Sequence, residues 1–269
     1  MKVIAYAPQY NEKHTDVLTA FADGAGGKVR WLEEYEPCDV AVIFGLVKYS
    51  FRPTWEKLAI LNHHRCRSLI VIESGFTLRG QYWAIGSGGI HGNADFRADN
   101  APDDRWGAMD VDTLPWQRRE DGPVIVCGQL PRDTNVQDTD HIRWCRDTVD
   151  YYLSKDIPVL FRPHPRIKDA SVYGVPEELH DRGKIWRSLE TARCVVIWNS
   201  TTGVDALING VPVIACGHGA MAAPMSSSEL DLDKLRYPSR QQFFASLGYS
   251  QWTLEEMREG LPWRHLSRP

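Results

Sequence analysis

Residues 195–215 read Val195-Val-Ile-Trp-Asn-Ser-Thr-Thr-Gly-Val-Asp-Ala-Leu-Ile-Asn-Gly-Val-Pro-Val-Ile-Ala215. An unbroken apolar run of this length, bounded by small polar residues, reads as a strand buried on both faces. It ends at Trp198. A short polar turn follows, a helix starts near Gly203, Asn209-Gly210 closes it, and Pro212 opens the next strand. Strand, turn, helix and strand in so few residues define a βα unit of a parallel sheet. Ser200, Thr201 and Thr202 then fall where free backbone N–H groups and the helix dipole favour an anion. Asp205, in the first helical turn, is placed for a ribose hydroxyl. An ordinary capped helix is the plainer alternative; three consecutive hydroxyl residues at a strand's carboxyl end favour phosphate.

Two further strand ends carry polar groups. Phe161-Arg-Pro-His-Pro165 brackets Arg162 and His164 with prolines that fix the backbone. Arginine offers a fork to phosphate and histidine a single donor. Cys127-Gly-Gln-Leu-Pro-Arg-Asp133 follows another apolar run. There Gly128 permits close backbone approach, Gln129 can read a polar group, and Asp133 can order the loop.

Working outward, strands are expected at Val3–Ala7, Val40–Phe44, Leu69–Ile72, Tyr82–Ile85, Val124–Cys127, Val159–Arg162, Cys194–Trp198 and Val211–Cys216. Helices are expected at Glu12–Ala22, Thr54–Asn62, Thr139–Leu153 and Val204–Asn209. The segment 86–122 is rich in Gly, Asp, Asn and Pro and reads as a long functional loop or linker. The tail Pro238–Leu266 reads as two helical pieces around Gly248, with Thr253 as N-cap and Glu256 as its capping-box partner. The fold class is α/β: two Rossmann-like domains facing a cleft. Their expected limits are 1–120 for an acceptor-binding domain and 121–250 for a donor-binding domain. A helical tail, 251–269, packs back on the first.

The 269 residues are 43% apolar and 25% charged, an ordinary globular balance that excludes disorder and coiled coil. The net charge of −4 argues against a wholly basic nucleic-acid surface. The six cysteines are scattered singly, which fits reduced thiols in a cytoplasmic protein. No stretch has the length of a membrane span or the pattern of a signal peptide. Asp-x-Asp pairs at Asp110–Asp112, Asp138–Asp140 and Asp231–Asp233 follow no buried strand, so no metal site is read into them.

Taken together, Arg-Pro-His-Pro and Asn-Ser-Thr-Thr-Gly-Val-Asp-Ala-Leu-x-x-Gly-x-Pro-Val resemble the donor half of GT-B glycosyltransferases. The pattern is similar to capsular-polysaccharide (Kdo-transferase-like) proteins and to bacteriophage glycosyltransferases of hydroxymethylated DNA bases. The Gly128-Gln129…Asp133 start and the tail Arg240…Leu247-Gly-Tyr-Ser-Gln-Trp-Thr253…Glu256…Gly260-Leu-Pro-Trp263 are similar too. The resemblance covers residues 123–265 well and the first 120 in outline, with a reduced acceptor domain. It implies a nucleotide-sugar co-substrate, a nucleoside-diphosphate sugar, bound without metal or other cofactor by Gly128, Gln129, Arg162, His164, Ser200, Thr201, Thr202 and Asp205.

Transfer to an acceptor hydroxyl needs a general base. Asp95, in the glycine-rich loop Gly86–Phe96, is the first choice. Glu73, which ends a strand, is the second, and His91 the third. Arg79, Arg97, Arg105, Trp83 and Trp106 are placed to line an anionic or aromatic acceptor. A 5-hydroxymethylated pyrimidine in phage DNA is preferred narrowly as acceptor over a surface or capsular polysaccharide. A non-catalytic nucleotide-sugar-binding protein and a GT-B-like epimerase are the readings of other classes.

Overall fold

In the computed structural model, which describes residues 1–9, 11–46, 54–131 and 133–268, the chain divides into two compact units. Met1–Asp110 and Gln241–Pro269 form unit 1, and Val111–Arg240 forms unit 2.

Unit 1 begins with β1 (Val3–Ala7), all five residues buried. Helix α1 (Glu12–Gly24) starts where Asn11 Oδ1 accepts the His14 N–H, and its apolar stripe Val17, Leu18 and Phe21 packs on the sheet. Strands β2 (Lys28–Trp31) and β3 (Val40–Phe44) flank β1 in parallel. Helix α2 (Thr54–His63) leads to β4 (Leu69–Ser74), parallel to β3. Strand β5 (Trp83–Ser87) turns back antiparallel to β4, and α3 (Asp104–Ala108) follows.

Unit 2 is a four-stranded all-parallel sheet made of β6 (Val124–Cys127), β7 (Val159–Arg162), β8 (Cys194–Ile197) and β9 (Val213–Ala215). Helix α4 (His141–Leu153) connects β6 to β7, α5 (Ile185–Leu189) precedes β8, and α6 (Thr202–Ile208) joins β8 to β9. The chain returns to unit 1 through α7 (Gln241–Gly248), β10 (Gln251–Trp252), α8 (Leu254–Arg258) and α9 (Leu261–Leu266).

The strand orders are β10-β5-β4-β3-β1-β2 and β7-β6-β8-β9. In each unit the first strand has the second on one side and the third and fourth on the other. This is the doubly wound order, with a topological switch point between first and third strands. Ligands in such sheets sit outside the carboxyl ends of the strands, at that point.

Several boundaries differ from the sequence reading. Residues 111–122 cluster with unit 2 because their backbone lies along its last helix: Leu114 N–H donates to Ile208 O and Gln117 N–H to Gly210 O, at 2.9 and 2.7 Å. Residues 241–250 cluster with unit 1 because α7 packs on α3, with the Phe244 and Trp106 rings stacked at 4.8 Å. Strands β2 and β10 and helix α5 were not expected. β2 is an exposed edge and β10 only two residues long, so neither has a clear apolar alternation. The stretch 86–122 is not one loop: β5 runs to Ser87, Ser87 bridges Asp95, and α3 follows. The Thr253–Glu256 capping box is present, with both reciprocal bonds at 3.2 and 2.8 Å.

Candidate functional site

Ladder register fixes what meets at the carboxyl edge of unit 2. Cys127 pairs with Arg162 on one side and Ile197 on the other. Gly128-Gln129, Arg162-Pro-His164 and Asn199–Thr202 therefore emerge side by side. The first and last flank the switch point between β6 and β8.

Two side chains lock this point. Gln129 Nε2 donates to Asn199 Oδ1 at 2.9 Å, and Gln129 Oε1 accepts the Asn199 N–H at 3.2 Å. Asn199 Nδ2 in turn donates to Asn135 O and His218 O, at 2.6 and 3.0 Å. The Gln129 backbone is also held: its N–H donates to His141 Nε2 at 2.8 Å, and its carbonyl accepts the Tyr173 hydroxyl at 2.7 Å. Both ends of the Gln129 amide are thus used within the protein. It fixes the two turns relative to one another. His141 was not singled out in the sequence; burial pushes its pKa down to about 4, so it stays a neutral acceptor.

Gly128 is required for packing. A Cβ there would stand 2.8 Å from the Phe161 ring and 3.1 Å from the Tyr173 ring. The close approach at this residue is to aromatic rings. Arg162 Nη1 is held at 2.9 Å by Asp181 Oδ2, both side chains mostly buried. Burial works to raise the Asp181 pKa. Hydrogen bonds from Ser188, the Gly183 N–H and Arg162 outweigh it and keep the group below the usual carboxylate range. Asp181 therefore stays charged and orients the arginine fork, of whose five donors it occupies one. His164 Nδ1 accepts the Arg166 N–H at 3.1 Å, so the neutral ring carries its proton on Nε2.

At the start of α6, Ser200 Oγ accepts the Thr202 N–H at 3.2 Å and donates to Thr202 Oγ1 at 3.1 Å. Ser200, Thr201, Thr202 and Asp205 are all half-buried. The donor-side residues read from the sequence thus lie along one edge, with Gln129 and Gly128 as its frame.

The acceptor-side candidates do not come together. Glu73 pairs with Ala84 on β5, near the carboxyl end of β4. Strand β5 then descends, and Ser87, three residues further, pairs with Ile70 and bridges Asp95. Asp95 consequently stands at the amino edge, about 10 Å of strand away from Glu73, while the His91 ring lies 6.0 Å from that of Phe76, two residues past the end of β4. Asp95 Oδ1 accepts the Arg97 N–H at 2.9 Å, a local turn bond. The loop expected to bring Asp95 to the ligand edge is carried off by the antiparallel direction of β5.

Residues missed in the sequence do occupy the unit 1 switch point, between β1 and β3. The His14 ring, from the first turn of α1, stacks on Phe44 at 3.8 Å. Gly45 follows with φ +63, and a Cβ on it would stand 3.2 Å from Glu73 Oε2. Lys57 Nζ donates to the Phe44 and Gly45 carbonyls at 2.5 and 3.0 Å. An imidazole, an ammonium and a carboxylate therefore surround the end of β3. A lone histidine in a polar helix start gave no sequence signal, because its partner Phe44 is distant in the chain.

The arginine- and tryptophan-rich loop is structural. Arg105 binds the Glu256 carboxylate and donates to Gly248 O and Gln251 O at 2.9 and 3.1 Å. Its guanidinium lies 3.9 Å from the Trp252 ring centroid. Trp83 is buried in the sheet core, and Trp106 is stacked on Phe244. His64 is also buried, within hydrogen-bond reach of Tyr35 and Cys38. Asp140 and Asp231 cap local turns by accepting the Arg143 and Asp233 N–H groups. Among the described residues no group of three or more His, Cys, Asp and Glu is placed to hold a metal. All six cysteines are unpaired thiols; burial pushes Cys127 and Cys194 up to about 12. No helix among the described residues is long and apolar enough to cross a membrane.

This architecture, paired Rossmann-like α/β units, is shared with solved structures. No family model matches the chain, and no curated protein sequence matches it. The KpsC beta Kdo 2,7 transferase of Thermosulfurimonas dismutans is similar at a TM-score of 0.56 and 14% identity, over 97% of this chain and 98% of that one. The KpsC beta Kdo 2,4 transferase of the same organism is similar at 0.56 and 14%, over 91% and 89%. At this identity the likeness concerns the fold.

Proposed function

We propose that this protein is a GT-B glycosyltransferase that moves a sugar from a nucleotide donor to a hydroxyl of a saccharide. The observation that carries the reading is the convergence of Arg162, His164 and Ser200–Thr202 on the carboxyl edge of unit 2, framed by the Gln129–Asn199 pair. That edge is where an α/β sheet binds a nucleotide, and its groups suit phosphate. The named activity of the two fold neighbours supports the same class.

The acceptor hydroxyl oxygen forms a bond to the anomeric carbon as that carbon's bond to the donor phosphate breaks. Negative charge then grows on the departing nucleotide. Fixed donors from Arg162, His164 Nε2 and the Ser200–Thr202 turn meet it without reorganising, which is the main electrostatic contribution to such a step. Asp205 takes a donor hydroxyl. The acceptor proton passes to Glu73, with His14 beside the same strand ends to orient the hydroxyl. Glu73 replaces Asp95 in this role because Glu73, unlike Asp95, lies at a carboxyl edge.

A saccharide acceptor is favoured over a hydroxymethylated base. The Trp- and Arg-rich loop was one of the grounds for DNA, and its Arg105, Trp83 and Trp106 are spent on internal packing. The test is to incubate the protein with UDP-, GDP- and CMP-linked sugars and follow nucleotide release with and without acceptor. Oligosaccharides and hydroxymethylated DNA serve as the two acceptor arms. Acceptor-stimulated release with oligosaccharide is expected. Release stimulated by DNA alone would overturn the acceptor, and no release with any donor would overturn the activity.

A further inference from the structure

The chain that leaves β9 stays beside the chain that leaves β8. Past the last ladder pair, Ile197 with Ala215, the Cys216 N–H donates to Ile197 O at 2.9 Å and the Gly217 N–H to Trp198 O at 2.8 Å. Gly217 lies against the Trp198 indole, where a Cβ would stand 2.5 Å from Cδ1 and Nε1. Asn199 Nδ2 then donates to the His218 carbonyl at 3.0 Å, so the residue that frames the Ser200 turn also fixes this loop. Gly219 turns the backbone at φ +71, which glycine adopts without strain. Beyond it Ala220 and Ala222 are buried, and a Cβ on Gly203 would stand 2.9 Å from the Ala222 Cβ. Both ends of segment 216–222 are therefore seated against the residues around Ser200–Thr202. Among the described residues of that segment only His218 is exposed.

The order β7-β6-β8-β9 sets the four strand ends in a row, about 4.8 Å apart. Arg162 and His164 leave β7, two places from the Ser200–Thr202 hydroxyls that follow β8. His218 leaves β9, one place beyond those hydroxyls on the other side. The width from β7 to β9 is about 14 Å of sheet. One phosphate at the turn does not fill that width, whereas two linked phosphates extend towards both flanks.

We propose that His218 binds the second phosphate of a nucleoside-diphosphate donor and so sets the donor class. This rests on the transferase reading above, in which the Ser200–Thr202 turn holds donor phosphate. An imidazole N–H donates to a phosphate oxygen, and the bond strengthens as negative charge grows on the departing diphosphate. Because its loop is fixed at both ends, the ring meets that charge with little reorganisation.

Calorimetry on the full chain tests it with uridine, guanosine and cytidine diphosphates, each compared with its monophosphate. His218→Ala should weaken the tightest diphosphate about tenfold and leave its monophosphate within about twofold. His218→Gln, whose amide still donates, should recover most of the loss. Melting temperature should hold in both, because the carbonyl that Asn199 binds is kept. His164→Ala serves as the control for the donor site and should weaken mono- and diphosphate alike. Full diphosphate affinity in His218→Ala, with His164→Ala weakened, would overturn the assignment and leave the donor site standing. Equal loss of mono- and diphosphate in His218→Ala would move the contact to another part of the nucleotide and also overturn it. So would a wild type that binds monophosphate as tightly as diphosphate, or a lowered melting temperature with no recovery in His218→Gln. No binding of any nucleotide by wild type would overturn the donor reading itself, and His218 with it.

Discussion

Gln129 and Asn199 clasp one another across the switch point of unit 2, each amide meeting the other residue at 2.9 and 3.2 Å. They are 70 residues apart in sequence and adjacent only because β6 and β8 are neighbours. The clasp joins the turn after β6 to the turn that leads into α6. Its geometry decides where Ser200, Thr201 and Thr202 stand.

Asn199→Ala should cost about 2–3 kcal/mol of stability, because it strands the buried Gln129 amide and two carbonyls. Asn199→Asp should cost at least as much, since a carboxylate oxygen would face Asn135 O and His218 O, which now accept from Nδ2. Urea melts of both variants check this. An aspartate as stable as wild type would mean that the amide is not oriented as described.

His164→Ala should weaken nucleoside-diphosphate binding by ~1.5–3 kcal/mol with little change in melting temperature, because the bond its Nδ1 accepts from the Arg166 N–H is a local turn contact. Arg162→Ala should lose similar affinity and some stability as well, by leaving Asp181 without its cation. Calorimetry with thermal melts separates the two. Wild-type affinity in both variants would remove the phosphate role.

Glu73→Gln keeps shape and removes basicity. Turnover should fall by about 10²–10⁴-fold while donor affinity holds, the usual weight of a general base. Asp95→Asn should leave turnover within about threefold, since a turn cap at the opposite edge touches no reacting atom. Steady-state rates decide between them. Collapse in Asp95→Asn with Glu73→Gln intact would restore Asp95 as the base.

Arg105→Met should cost about 2–3 kcal/mol, because Glu256 would remain half-buried without its cation. Burial alone would raise the Glu256 pKa, and hydrogen bonds from Arg105 and Thr253 overcome this to hold it low. Glu256→Gln in the Arg105→Met background should recover part of the loss in urea melts. No recovery would mean that packing on Trp252, not the ion pair, holds the segment.

The parallel strands of unit 2 were legible because each is a short apolar run stopped by polar residues, and such runs name their own ends. Cys127, Arg162 and Trp198 could thus be set along one edge before any register was known, the last one residue past the observed end at Ile197. Strand direction has no such mark: Trp83–Ser87 reads alike in either sense, so Asp95 was assigned to the wrong edge. Long-range partners were equally silent. Nothing near Arg105 announces Glu256, and nothing near His14 announces Phe44.

The pH dependence of stability follows from His141, which is 2% exposed and accepts the Gln129 N–H. Burial lowers its pKa from 6.5 to about 4 in the folded protein. The unfolded chain therefore binds a proton first as pH falls. The contribution is fully present above about pH 6.5 and is lost progressively as pH drops through 6.5 towards 4. Between pH 7 and 5 the loss should be roughly 2 kcal/mol from this residue alone. His64 and His265 are also lowered by burial and add in the same direction. The comparison with His141→Gln isolates the effect, because a glutamine oxygen can accept the same N–H and does not titrate. Urea unfolding at pH 7 and pH 5 should show wild type losing roughly 2 kcal/mol more than the variant. Parallel losses in the two proteins would show that His141 is not held neutral behind the Gln129 turn.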